Sequence, residues 1–169
     1  MINSTDSEHA SSRFNAYAHY GEIDCKHSVA ATAAGRYQGS MRTILFEFHS
    51  AGLKAELLDT PTADLIWRTL PLHTTALFWG RLVRLDVPLE IYREPDARSV
   101  LEPGEVAFLS DRDDIVMGYG RTPISKGEEV RLWGDANVFA RIVDDIELLR
   151  EVRDGSAVSI KRMVKRARA

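Results

Sequence analysis

The chain has 169 residues, which suits one domain with appended segments and is short for two. Hydrophobic residues make up 44% and charged residues 28%, enough apolar side chain for a core, and a net charge of −3 speaks against bulk nucleic-acid binding. The single cysteine, Cys25, excludes an internal disulfide and a cysteine-only zinc site; no apolar run has the length of a membrane span, and no signal peptide opens the chain. The expectation is a cytoplasmic protein that does not enter the membrane.

Charge is distributed unevenly. Residues 1–40 carry a net −1 and the last nine residues +5, which leaves 41–160 at −7. Residues 1–40, rich in Ala, Ser, Gly and His, hold no sustained apolar period and read as a flexible leader. The folded domain is expected over 41–163, followed by a solvated basic tail, 164–169.

From Met41 the pattern turns to short β segments. "RTILFEFHS" alternates as a strand, and Ala51-Gly52 turns it into "LKAELLD". A helix follows, with Thr60 as N-cap, Pro61 in the first turn, and Ala63, Leu65, Ile66 and Leu70 as its apolar stripe. Leu70-Pro71 ends it, because the residue before a proline is pushed out of the helical region. "TTALFWG", "RLVRLDVPLEIY", "EVAFLSD", "DIVMGYG" and "ANVFARIVD" read as strands, "DIELLREV" as a short helix, and "SAVSIKRMV" as the closing strand. Short strands with two short helices predict a mainly β domain, a small closed barrel.

Catalytic signatures are missing: there is no GxGxxG, GxxxxGK(S/T), HExxH or GxSxG. The five histidines are scattered without ligand spacing, so neither metal nor cofactor is expected. His73, between the helix end and a strand, is a surface histidine or a general base. Asp111, Asp113 and Asp114 cluster in one loop, where acids usually satisfy turn backbone. Trp79 precedes Gly80, and Tyr119 sits between Gly118 and Gly120 with Arg121 beyond; glycine beside a large aromatic admits a close backbone or ligand. Asn137 interrupts an apolar strand, so it ties the barrel together or faces a pocket.

Taken in order, "TPTADLIWRTLPL", "FWG", "PGEVAFLSD", "MGYGRTPIS" and "NVFARIVDDIELLREVRDGSAVSI" resemble the small bacterial and archaeal cyclophilin-like proteins. The shared features fall on Leu70-Pro71, Trp79-Gly80, Gly104-Glu105-Val106, Tyr119 to Pro123, Asn137-Val138 and Leu149 to Gly155, within 42–163. The resemblance implies a cyclophilin-type barrel of about eight strands with short helices closing its ends. The fold is shared with peptidyl-prolyl isomerases, whose catalytic arginine stands in a Phe-His-Arg context; here Phe48-His49 is followed by Ser50. Where the family shows Asn-Thr-Trp-Gly this chain has Leu77-Phe78-Trp79-Gly80, a more apolar wall.

Two functions are weighed. The first is a protein that binds a small molecule or short peptide in a cleft on the barrel. Trp79, Phe108 and Tyr119 would supply walls, with Arg121 and Asn137 as polar anchors and Glu105 and His73 nearby. The second is an enzyme acting on an amide bond, isomerase-like or cyclic-amide-hydrolase-like, with His73 or Glu105 as base and Arg121 stabilising the oxyanion. Catalytic residues are not identified by the sequence, and the oligomeric state, a homo-oligomer included, stays open.

Overall fold

A computed structural model describes residues 42–163. The leader and the 164–169 tail lie outside the described residues. The domain is mainly β. Its strands are β1 (Thr43–Phe48), β2 (Gly52–Leu57), β3 (Leu72–Trp79), β4 (Leu82–Asp86), β5 (Arg98–Leu101), β6 (Glu105–Leu109), β7 (Asp114–Gly118), β8 (Val130–Ile142) and β9 (Ala157–Met163). One α-helix, α1 (Pro61–Thr69), follows β2, and a 3₁₀ helix, Ile146–Glu151, follows β8.

The strands run β2-β1-β9-β3-β4-β7-β6-β8, and β2 pairs back to β8 through Ala55↔Ile142, Glu56↔Arg141 and Leu57↔Ala140. Eight strands thus close a ring, and closure removes the exposed edges that an open sheet would present. The ninth, β5, pairs with β8 alone. The ring encloses a core that includes Ile44, Phe46, Leu53, Leu85, Phe108, Met117, Phe139 and Ile160.

The helix forms where expected, with Thr60 Oγ1 accepting from Ala63 N at 3.1 Å. Its last turn is capped from a distance: Arg162 donates to the carbonyls of Trp67 (2.8 Å) and Arg68 (3.0 Å), where a cation also suits the helix dipole. The buried face is Thr62, Ala63 and Ile66, while Leu65, assigned to the apolar stripe, points to solvent.

Other expectations need correction. "RLVRLDVPLEIY" is a strand only over Leu82–Asp86, since Pro88 cannot donate to a ladder. "DIVMGYG" stops at Gly118, and the helix near 146 is 3₁₀. β5 is a further strand, and β8 starts six residues before "ANVFARIVD", at Val130.

β8 explains the difference. Its C-terminal half closes the ring between β6 and β2, while its N-terminal half leaves the ring and pairs with β5 as a ribbon. That ribbon lies over the outer face of the ring. Leu101, Val130, Leu132 and Ala136 pack there on Leu82, Ala107, Leu109 and Val116 as a second core. β6 and β7 are therefore buried on both faces, which is why "EVAFL" and "DIVMG" show no polar alternation.

Gly118 lies where the ribbon crosses β7. A Cβ there would meet Val130 Cγ1 at 2.3 Å, so only glycine lets the ribbon seat. Gly118→Ala is expected to destabilise the domain by about 1–3 kcal/mol, as overpacking does, and Gly118→Ala with Val130→Ala should recover part of that loss. Urea denaturation of the two variants checks this.

Candidate functional site

The sequence-predicted residues separate into different environments. Phe108 is fully buried inside the ring, so it fills the core and cannot wall an open cleft. His73 lies on β3 rather than in a loop, exposed and in register with Ser159. It is six residues from Trp79 along that strand, about 20 Å at strand rise.

Tyr119 and Arg121 lie beyond the end of β7 and share no strand face. Their segment runs beside Arg81 instead, with Tyr119 N donating to Arg81 O (3.0 Å) and Arg81 N to Arg121 O (2.9 Å). This is the close approach that Gly80 permits: its φ is +63°, and a Cβ would meet Arg121 O at 2.9 Å. Tyr119 packs on the inner core, and the exposed Arg121 faces Glu128 at 3.7 Å.

Asn137 is fully buried and ties the fold together. Its Oδ1 accepts from Glu94 N (2.8 Å), and its Nδ2 donates to Tyr92 O (2.8 Å) and Thr62 Oγ1 (3.0 Å). Thr62 in turn donates through N and Oγ1 to Glu94 Oε1. Both amide donors are spent on the protein, so none is left to anchor a ligand.

Glu105 is 2% exposed and acts as an ion-pair hub. Arg98 Nη2 donates to both carboxylate oxygens at 2.7 Å, Arg141 Nη2 donates to Oε1 (3.0 Å), and Glu102 N to Oε2 (3.0 Å). Burial by itself pushes this carboxyl up. The Glu102 N–H and the two guanidiniums outweigh it and hold the group below its usual range. A carboxylate held ionised with both oxygens engaged is a poor proton acceptor, which removes Glu105 as a general base.

In the β6–β7 turn, Asp113 has a left-handed backbone (φ 55°). Burial, followed by the charges of Glu90, Asp86 and Asp114, raises its carboxyl. No group of acids, histidines or cysteines among the described residues is arranged to hold a metal.

Trp79 gains partners that the sequence did not indicate. In the β5–β8 ribbon one residue, Ser99, stands opposite four, 132–135, and this bulge carries Trp133 outward. Trp133 meets Trp79 edge-to-face, with centroids 4.8 Å apart and planes at 82°. The Arg84 and Arg112 guanidiniums lie 5.2 and 5.6 Å from the Trp133 ring centre. Arg84 is committed, since its Nε and Nη2 donate to the buried Asp114 at 3.0 and 2.7 Å. Arg93 bridges Asp111 (3.5 Å) and Asp135 (3.3 Å) beside them. Trp133 itself stays 36% exposed. The legible signal was that Trp133-Gly134 repeats the Trp79-Gly80 pair.

The model of the cyclophilin-like family matches residues 42–161. The chain belongs to that family. The solution structure of the hypothetical protein AF2241 from Archaeoglobus fulgidus is similar, with a TM-score of 0.65 and 30% identity over 75% of this chain and 98% of that one. No curated protein matches. In this cyclophilin-like chain Phe48 closes β1, and His49 is exposed in the turn that follows.

The Glu105 hub makes a pH-dependent contribution. Its carboxyl lies lower when folded than when unfolded, so the stabilisation is present above the unfolded value and is lost as pH falls through the folded one. Glu105→Gln should cost about 2 kcal/mol at neutral pH, a figure tempered by the half-exposed arginines. The gap between wild type and variant should narrow on acidification below the ordinary glutamate range, read from denaturation curves at a series of pH values.

Proposed function

We propose that this cyclophilin-like protein is a binding protein that holds a small molecule or a short peptide on the outer face of its ring, at the Trp79–Trp133 platform. The observation that carries this reading is the half-open indole of Trp133, lifted to the surface by a bulge and fixed by Trp79, Arg84 and Arg112. A ligand laid on that ring removes apolar surface from water against a side chain whose orientation is already set, so little ordering cost opposes binding. The acid–base groups considered for amide chemistry support binding over catalysis: Glu105 is clamped, and His73 stands far along β3 from Arg121 and the indoles.

The test begins with mass spectrometry of small molecules that co-purify with the full chain. Tryptophan fluorescence then reports titration with any molecule found and with a panel of short proline-containing peptides. Trp133→Ala should weaken binding by about tenfold or more while costing only about 1–2 kcal/mol of stability, because the ring is partly solvated. An equal loss of stability in a protein that binds unchanged would make Trp133 a packing residue. Acceleration of prolyl isomerisation by wild type, abolished in Arg121→Ala, would make the protein an enzyme.

A further inference from the structure

The cations around Trp133 are not equivalent. Arg84 is held by two hydrogen bonds to the buried Asp114, and Arg93 by Asp111 and Asp135. Arg112, on the turn between β6 and β7, is exposed. Among the described residues its guanidinium has the Trp133 ring and no carboxylate or carbonyl partner; only its backbone N–H is bonded, to Leu109 O at 3.2 Å. Among the described residues, Arg112 is the arginine of this platform that forms no ion pair.

We propose that the ligand of the platform carries a carboxylate beside an apolar or aromatic group, with Arg112 as the counter-ion and Trp133 as the surface for the apolar part. This rests on the platform being a binding site. A guanidinium fork matches a carboxylate in geometry and charge, and an adjacent indole shields the pair from water. A cationic ligand is disfavoured because two guanidiniums already stand over the Trp133 ring, where a third positive charge meets repulsion. A polyanion is disfavoured for a different reason. Residues 41–160 carry a net −7, and Asp111 and Asp135 flank the site, so one uncommitted arginine accommodates one negative charge. The carboxylate could belong to a free organic acid or to a peptide C-terminus, and both present the same chemistry.

The experiment uses the full chain labelled with ¹⁵N and follows the indole N–H resonances, assigned with Trp79→Phe and Trp133→Phe. The probes are phenylacetate and phenylacetamide, and acetyl-Ala-Phe with a free or an amidated C-terminus. In wild type each acid should shift the Trp133 resonance and bind about tenfold more tightly than its amide. Arg112→Gln, an exposed change whose fold is checked by its melting curve, should erase that preference, and Arg112→Lys should keep part of it. If the peptide acid binds more tightly than phenylacetate, the source is a chain end; the reverse order indicates a free acid. Acid and amide binding equally, or a preference that survives in Arg112→Gln, would overturn the carboxylate assignment and leave the platform standing. A Trp133 resonance that none of the probes moves would overturn both.

Discussion

One strand serves two structures, and most of the molecule follows from that. The C-terminal half of β8 closes the ring against β2 and β6, and its N-terminal half leaves the ring to cover the outer face of β4, β6 and β7. Closing the ring requires a fixed register with both neighbours, and covering the outside requires a change of direction. The change is pinned by Asn137, whose amide binds the 92–94 segment and the start of α1, and by an irregularity between Val106 and Ala107 that leaves Phe139 extra on β8. A buried amide with its donors spent has no alternative partner in an apolar core, so it specifies this arrangement as well as stabilising it.

The second core is a consequence. Once the ribbon covers the sheet, Leu82, Ala107, Leu109 and Val116 lose contact with water on the face that a lone ring would leave solvated. The Arg98–Glu105 pair ties the start of β5, which lies opposite Ala136 beside Asn137, to the start of β6. Charge and apolar burial act together there: neither a four-residue strand nor a half-exposed arginine would hold the ribbon by itself.

The platform is built on the same ribbon. Trp133 reaches Trp79 because it lies in the bulge where the β5–β8 register shifts between Arg98 and Val100. The platform therefore joins residues from β3, β4, the β6–β7 turn and β8. Its rigidity comes from buried and bridged groups around it, Asp114 under Arg84 and Arg93 between two aspartates.

By itself the sequence determined the local elements and the class of fold. Thr60-Pro61 and Leu70-Pro71 bound the helix, because capping and proline sterics act within a few residues. The alternation of "TILFEF" and the order of the short motifs indicated a ring of cyclophilin-like strands. What it could not decide was which side of a strand faces what. "EVAFL" looks the same whether it is buried once or twice, and Phe108 reads equally as pocket wall or core. Glu105 reads as a base until Arg98 and Arg141 are seen around it. Those outcomes depend on partners far along the chain, and single-strand periodicity carries no record of which distant strand, or which arginine, will lie opposite. Trp79 and Trp133 each stand before a glycine in the sequence, but only the ribbon's bulge brings the two rings together.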